Sequence, residues 1–392
     1  MAKSISPSRF YSLDVLRGMA ALSVVLWHWQ SFFLPLNKQG APFFIEQQPM
    51  FEFLYVFYQK GYEAVSLFFC LSGFILFWLY SERIAEKSLS PGAFAVLRLS
   101  RLYPLHFATL LFVAAGQFIY TRTTKTYFVY PFNDTYDFFL NLFFASAWGL
   151  EKGNSFNAPV WSVSVEILLY AFFFVFCQYF NRTFRAVLCA IFVGHLLHII
   201  DDAYSLEDFI ALGVRNFFIG GFVFMAYEKL IKTGDMWKVS LWLPFVASVA
   251  WLATIAVMNP NYNFAFERLP PMIAHKMASA WPSFVLFPTT IMSLALIETK
   301  RGTFGKRWSF VGDISYSSYL LHFPLKLTVA TVMAPLAVNG ALFYSPLIMA
   351  LFFCVLIIGS LVSHRYFEVP MQRLLRRKLP IRQKAAPVQE VA

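Results

Sequence analysis

The amino-acid sequence predicts an all-α fold, a polytopic membrane helical bundle of about ten transmembrane helices with both termini in the cytoplasm. Hydrophobic residues make up 58% of the 392 residues, charged residues make up only 14%, and the mean hydropathy is +0.58. Soluble domains carry about 25% charged residues. Apolar runs of about 20 residues, which is the length that crosses the hydrocarbon core of a bilayer, recur along the whole chain.

Short polar loops separate these apolar runs, which indicates a single transmembrane domain over residues 1–380. Residues 381–392 are expected to form a disordered cytoplasmic tail. The stretch 135–149 is apolar but short, and we expect it to lie at the outer face or to re-enter there. The predicted spans are 15–36, 61–80, 102–121, 161–181, 186–200, 209–229, 240–258, 276–298, 310–336 and 346–367.

The distribution of lysine and arginine predicts the orientation of the spans. With the N-terminus in the cytoplasm and 122–160 as one outer segment, basic residues collect on the inner loops, while the outer loop 201–208 has four acids and no base. A complete crossing by 135–149 would invert every later loop, so the positive-inside rule favours ten spans. The same loops account for the net charge of +11, and we predict no nucleic-acid partner.

The cysteines and the common ligand-binding motifs give no sign of a metal or a permanently bound cofactor. The four cysteines lie in apolar segments without metal-ligand spacing, and no phosphate-binding glycine loop, HExxH or CxxC is present. We expect the cysteines to be core or lipid-facing residues. The first apolar stretch lacks a small-residue cleavage site, and we expect it to remain as a signal anchor.

Ionisable residues in the first predicted span are the strongest indication of function. Arg17 and His28 lie eleven residues apart, which is about three helical turns, and Asp14 precedes Arg17 on the same stripe. Such residues are rare in membrane helices unless they serve a pathway or a reaction. A neutral imidazole at His28 would take a proton from a hydroxyl and return it to a leaving group. A hydrogen-bonded packing histidine is the alternative.

Three further charged residues lie near the ends of predicted spans. Arg98 and Arg101, in RLSRLYP, form one cationic face that suits either phosphate binding or anchoring at the cytoplasmic surface. Glu166, in WSVSVE, is an acid close to an apolar interior. It is a candidate to orient His28, to bind a sugar hydroxyl or to pair with Arg17.

Several uncharged residues are open to two interpretations. Trp161 is either an aromatic-belt residue or a stacking face for a sugar. For Ser72 and Gly73 we favour close helix packing, as we do for the glycines near Gly220. Lys326 and Arg215 lie within predicted spans and have no assigned role. Tyr319 and His322 are expected to face the bundle interior.

Taken in order, these segments resemble the integral-membrane acyltransferase family 3, whose members O-acylate sugars and other acceptors. SLDVLRGMAALSVVLWHW is similar to the family's first-helix signature, with its arginine at Arg17 and its histidine at His28. RLSRLYP is similar to the Arg-x-x-Arg motif at Arg98 and Arg101, and WSVSVE to a segment that ends in Glu166. SLFFCLSGFIL, GDISYSSYLLHFPL and HRYFEVPMQ resemble further spans.

The resemblance implies acyl-CoA, acetyl-CoA by default, as a co-substrate from the cytoplasm and a carbohydrate or glycoconjugate acceptor at the outer face of a bacterial inner membrane. His28 would be the general base or a transient acyl carrier. The implied catalytic residues are His28, Arg17 and Glu166, and the implied donor-binding residues are Arg98, Arg101 and Arg17. The implied substrate-binding residues are Trp161, Ser72, Tyr319, His322 and Asp14. Two other classes stay open, a polysaccharide or lipid-carrier transporter and a haem-binding membrane cytochrome.

Overall fold

The computed structural model describes residues 7–33, 43–180, 182–204, 209–258, 280–336, 340–377 and 379. Within these ranges every regular element is a helix and no β-strand occurs, so the predicted all-α fold is confirmed. The predicted tail 381–392 and the acidic loop residues 205–208 lie outside the described residues.

The α-helices are numbered here in chain order. They are α1 (Tyr11–Trp27), α2 (Phe51–Lys60), α3 (Ala64–Ala85), α4 (Pro91–Thr124), α5 (Thr135–Leu142), α6 (Trp161–Phe180), α7 (Phe184–Tyr204), α8 (Phe209–Thr233), α9 (Met236–Met258), α10 (Phe287–Arg301), α11 (Phe310–Asp313), α12 (Ser315–Met333), α13 (Pro346–Ser363) and α14 (Val369–Arg376).

Seven helical stretches in the described part of the chain are long and apolar enough to cross a membrane, and each overlaps a predicted span. They are Phe51–Ala85, Pro91–Thr124, Ala158–Phe180, Phe209–Thr233, Met236–Met258, Pro282–Arg301 and Pro346–Arg376. The other predicted spans correspond to α1, α12 and the shorter apolar helix Phe184–Ile200 within α7. The total of ten spans and the side of each terminus stay predictions.

The segment between α4 and α6 leaves and re-enters the bundle at the same end. Residues Val129, Tyr130 and Asn154 from this segment line one cavity together with Trp161, the first residue of α6. Its only α-helix, α5, has 8 residues. At about 1.5 Å per residue this helix is far shorter than the hydrocarbon core of about 30 Å. The helix α5 is therefore too short to cross a bilayer by itself, and the location of 135–149 at the outer face stays a prediction.

Helices α3 and α8 pack closely because each presents a glycine to the backbone of the other. A Cβ atom on Gly73 would lie 1.8 Å from the carbonyl oxygen of Phe217, and one on Gly220 would lie 1.9 Å from that of Cys70. Real Cβ atoms do not approach other atoms so closely, so only glycine fits at either position. The predicted packing role of these two glycines is confirmed.

The start of α1 is fixed by an acid from α10. The two carboxylate oxygens of Glu298 accept hydrogen bonds from the backbone N–H of Tyr11 (2.8 Å) and of Ser12 (2.9 Å), and from the Ser12 hydroxyl (2.6 Å). These amides belong to the first turn of α1 and have no partner within the helix. A carboxylate also interacts favourably with the positive end of the helix dipole. Glu298 therefore anchors the helix that carries Arg17.

The predicted span 15–36 is not one continuous helix. The α-helix ends at Trp27, and a tighter turn follows over His28–Phe32. Trp29, in this turn, is fully buried and donates from its indole N–H to the carbonyl of Phe343 at 3.0 Å. Phe32 stacks on the Phe343 ring, with 4.0 Å between ring centroids. This tertiary aromatic packing sets the helix end, which the apolar pattern of the sequence did not indicate.

Candidate active site

Two cavities lie in line along α1 and α12. One, the arginine cavity, has a volume of about 100 Å³ and is lined by Arg17, Arg98 and Arg101. The other, the histidine cavity, has a volume of about 740 Å³ and is lined by His28. The first turns of α1 contribute to the arginine cavity and its last turn contributes to the histidine cavity, so the charged stripe predicted in the sequence connects two separate spaces.

Arg98 is held by a hydrogen-bonded chain that crosses the arginine cavity. Its Nη2 donates to the Tyr170 hydroxyl at 2.8 Å, and its guanidinium carbon lies 4.7 Å from the centre of that ring. The Tyr170 hydroxyl donates to Glu166 Oε1 at 2.7 Å, and Ser72 Oγ donates to the same oxygen at 2.6 Å. Arg98 is only 7% exposed, and its Nε has no hydrogen-bond partner among the described residues.

Glu166 belongs to the arginine cavity and does not contact His28. Its Oε1 accepts hydrogen bonds from the hydroxyls of Ser72 and Tyr170. Glu166 lies more than one helical turn beyond Trp161, which lines the histidine cavity, so the two side chains reach different cavities. Of the three roles considered for Glu166, orientation of His28 does not fit this placement. In this fold Glu166 orients Tyr170, which holds Arg98, and its role in the reaction stays a prediction.

Asp14 and Arg17 are tied together at the other wall of the arginine cavity. Asp14 is 2% exposed, and its two oxygens accept from Arg9 Nε at 2.6 Å and from Arg17 Nη2 at 3.1 Å. Arg17 also donates from Nε to Ser315 Oγ at 3.1 Å and from Nη2 to the carbonyl of Gly312 at 3.2 Å. Asp14 lines the cavity, and its ion pairs fix the direction of the Arg17 guanidinium.

His28 lies at the end of α1 with one ring nitrogen engaged. Its Nδ1 is 3.0 Å from the carbonyl oxygen of Val24, which also accepts the backbone N–H of His28 at the end of the helix. A carbonyl only accepts, so Nδ1 carries the proton and Nε2 presents its lone pair. The imidazole is therefore held in the tautomer that a general base requires.

Two residues of α12, His322 and Lys326, contact His28. The His322 ring lies 5.0 Å from the His28 ring, between centroids, and its Nδ1 donates to the carbonyl of Tyr319. Lys326 is fully buried and donates from Nζ to the carbonyl oxygen of His28. Sequence reasoning left Lys326 without a role. Its position four residues after His322, on the same helix face, is the signal that would have found it.

The histidine cavity also contains Glu63, which was not a sequence candidate, and Arg215, which had no assigned role. Glu63 and Arg215 both line it, and no ion pair joins them in the described structure. Arg215 is 2% exposed and donates from Nη2 to Ser283 Oγ at 3.1 Å. Trp161 lines the same cavity and packs on Phe209, with 4.1 Å between ring centroids. The available signal was the presence of charge inside predicted spans.

Tyr319 is the one described residue that lines both cavities. Its hydroxyl donates to the carbonyl of Pro159 at 2.7 Å and lies 2.8 Å from Ser162 Oγ. The fold thus distributes the predicted site residues between two spaces joined at one side chain. The arginine cavity holds Asp14, Arg17, Ser72, Arg98, Arg101 and Glu166, the histidine cavity holds His28 and Trp161, and His322 lies beside His28.

Comparison with known protein families decides what kind of protein carries this site. A family model described as an acyltransferase domain, acyltransferase 3, matches residues 10–365, which is nearly the whole chain. The chain belongs to acyltransferase family 3. The resemblance drawn from the motifs is confirmed, and the protein is a multi-pass integral membrane O-acyltransferase. Family membership favours acyl transfer over the transporter and cytochrome alternatives.

Two relatives show how far the similarity of this acyltransferase extends. Acyltransferase MdmB of Streptomyces mycarofaciens is 27% identical over 407 aligned residues, which cover 95% of this chain and 94% of that protein. Protein 2 in the picA locus of Rhizobium radiobacter is 37% identical over 109 residues, which are 28% of this chain and 46% of that protein. The match thus spans less than half of the second relative. No solved structure matches the acyltransferase.

Proposed function

We propose that this enzyme transfers an acyl group, acetyl by default, from cytoplasmic acyl-CoA to a hydroxyl of a carbohydrate or glycoconjugate at the outer face of a bacterial inner membrane. One observation carries the proposal: a cavity with three arginines and a cavity with the His28 imidazole, whose Nδ1 lies beside a carbonyl oxygen, share the side chain of Tyr319. This arrangement offers separate approaches for an anionic donor and a hydroxylated acceptor.

The arginine cavity suits the phosphates of CoA. Guanidinium groups bind phosphate oxygens through paired hydrogen bonds, and Arg98 has a buried Nε–H without a partner in the described structure. Arg98 and Arg101 occupy the first turns of α4, in a predicted inner loop and span start, so the positive-inside rule puts this cavity on the cytoplasmic side. The thin pantetheine arm would extend from here toward Tyr319 and bring the thioester within reach of the histidine cavity.

His28 would act as the general base for direct transfer. Its Nε2 takes the proton from the acceptor hydroxyl, whose oxygen attacks the thioester carbonyl carbon. The tetrahedral intermediate collapses with cleavage of the carbon–sulfur bond, and the imidazolium returns the proton to the sulfur. The products are an ester and CoA with a free thiol. Attack by His28 itself, with an acyl-imidazole intermediate, is the alternative, and we prefer direct transfer because it needs fewer steps.

The histidine cavity suits a sugar-containing acceptor. Its volume of about 740 Å³ lies in the range of small-molecule sites, which is about 300–1,000 Å³. The faces of Trp27, Tyr62 and Trp161 offer apolar stacking surfaces. Glu63 and Arg215 line the same cavity without an ion pair between them in the described structure, so both are placed to hydrogen-bond hydroxyl groups.

The proposed function is tested by mass analysis of surface glycans from cells with and without the gene. We expect an acyl substituent to disappear in the deletion strain, to return with the wild-type gene and not to return with His28→Ala. Glycans that keep every acyl group in the deletion strain contradict the proposal. A loss of glycan without a change in its acylation would instead support a transporter.

A further inference from the structure

Tyr319 lies between the arginine cavity and the histidine cavity. Tyr319 is the one described residue that belongs to both linings, and it is only 5% exposed. Its ring contacts Phe68 edge-on, with 5.9 Å between centroids, and Phe68 lines the arginine cavity. An acyl thioester that moves from the arginines toward His28 along this shared wall therefore meets the Tyr319 ring.

Hydrogen bonds of its hydroxyl group hold the Tyr319 ring in this position. Its hydroxyl donates to the carbonyl of Pro159 and lies within hydrogen-bond distance of Ser162 Oγ, both at the start of α6. Pro159 lines the histidine cavity and Ser162 lines the arginine cavity, so these bonds span the boundary. The hydroxyl could exchange them for a bond to a substrate when the ring moves aside.

Tyr319 is also linked to the imidazole pair. Its backbone carbonyl accepts the hydrogen bond from His322 Nδ1, and the His322 ring lies beside the His28 ring. Occupation of the histidine cavity by an acceptor that contacts His28 would therefore act on the same turn of α12 that positions the Tyr319 ring. Tyr319, His322 and His28 therefore belong to one packed group of residues.

We propose that Tyr319 determines reaction specificity, by keeping the thioester apart from water in the histidine cavity until an acceptor occupies that cavity. The inference rests on the proposed function. The competing reaction is hydrolysis, in which a water oxygen bonds to the thioester carbonyl carbon and the carbon–sulfur bond breaks. A carboxylic acid forms, and the sulfur takes the proton to give the free thiol of CoA. Exclusion of water from a reaction site prevents hydrolysis of reactive groups, and an intact Tyr319 boundary would provide this exclusion.

The test measures both reactions in membrane vesicles supplied with radiolabelled acetyl-CoA. Free acetate reports hydrolysis, label in the glycan fraction reports transfer, and the ratio of the two is compared between variants. For Tyr319→Ala we expect this ratio to rise about tenfold or more, because removal of the ring joins the cavities and admits water. Tyr319→Phe keeps the ring but loses both hydroxyl hydrogen bonds, and a smaller rise is expected.

Two other tyrosines provide matched controls. Tyr316 lines only the arginine cavity and Tyr62 lines only the histidine cavity. Alanine at either position is expected to weaken transfer through poorer substrate binding without a rise in the rate of free acetate release, whereas Tyr319→Ala is expected to raise that rate. Thermal unfolding in detergent identifies any variant that does not fold, and if Tyr319→Ala is such a variant, Tyr319→Phe decides the question.

The outcomes separate this inference from the proposed function. A wild-type enzyme that moves no label from acetyl-CoA defeats the proposed function and the inference with it. An active wild type together with an unchanged hydrolysis ratio in folded Tyr319 variants overturns the inference alone. An equal rise in the rate of free acetate release by the Tyr62 and Tyr316 variants also overturns it, since the effect would then not belong to the boundary.

Discussion

At the scale of single residues, the site depends on how buried polar groups share a few hydrogen bonds. The carbonyl of Val24 fixes the tautomer of His28, and Asp14 fixes the guanidinium of Arg17. Both partners are themselves buried, so neither can be replaced by water without loss of packing. Groups held in this way keep their direction before any substrate arrives, which is the basis of preorganised catalysis.

His28→Ala should lower the rate of acyl transfer by about 10²–10⁴-fold, the usual contribution of a positioned general base. The measurement is kcat for label transfer from acetyl-CoA, with the melting temperature of each variant as a check on folding. His195→Ala is the matched control, because His195 lies on α7 and lines neither cavity. Near-normal activity in well-folded His28→Ala would reject the catalytic role.

Arg98→Lys combined with Arg101→Lys should raise the KM for acyl-CoA and leave the KM for the acceptor unchanged. Lysine keeps the charge but loses the planar fork, and each charge-assisted contact is worth about 1.5–3 kcal/mol. Arg122→Lys, at the opposite end of the same helix α4, serves as the control. If the donor KM stays at its wild-type value, Arg98 and Arg101 serve only to anchor α4.

At the scale of the elements, the positions of the site residues follow from close helix contacts. The contact between α3 and α8 brings Ser72 to the arginine cavity and Arg215 to the histidine cavity, one from each helix. The cap that Glu298 provides fixes the start of α1, and the aromatic packing of Trp29 fixes its end. The cavities therefore depend on contacts that lie outside them.

Gly73→Ala should strongly destabilise the bundle. The added Cβ would meet the Phe217 carbonyl oxygen at 1.8 Å, and the helices would have to separate. Overpacking of this kind costs about 1–3 kcal/mol and occasionally more. Gly359→Ala is the matched control on α13, because a Cβ there meets nothing within 4 Å. Thermal melts in detergent should show a lowered Tm for Gly73→Ala only, and equal melting temperatures would disprove the close-contact argument.

At the scale of the whole molecule, the proposed mechanism needs the two cavities to open toward opposite sides of the membrane. The structure aligns them along α1 and α12, while the charge of the loops supplies the direction. The connection 125–160 lies at the end of the histidine cavity, so its location reports directly on acceptor access.

Single cysteines in a cysteine-free background test this orientation with a membrane-impermeant thiol reagent. Asn154→Cys, exposed in the connection beside the histidine cavity, should label in intact cells, as should Ser205→Cys, which lies outside the described residues. Thr303→Cys, exposed in the basic loop 299–307, should label only after permeabilisation. If Asn154→Cys labels only after permeabilisation, the histidine cavity opens toward the cytoplasm. The proposal that donor and acceptor approach from opposite sides of the membrane would then be rejected.

The sequence by itself determined the fold class and the family, and it singled out the charged residues that line the arginine cavity. Hydropathy reports membrane helices because each span must satisfy its own backbone hydrogen bonds, and charge inside such spans marks function because its burial is costly. These signals are local, so Arg17, Arg98 and Arg101 were visible without a structure.

Only the tertiary structure decided which of these residues meet. His28 and Arg17 were both candidate partners of Glu166 on sequence, yet in the structure Glu166 bonds to Tyr170, which holds Arg98. The contact of α12 with α1 brings Lys326 to the carbonyl of His28. The division at Tyr319 likewise arises from separate segments, since Pro159 and Tyr319 lie far apart in the chain. Such contacts depend on helix rotation and crossing, which are set by side-chain packing between helices and leave no periodic signal within any one of them.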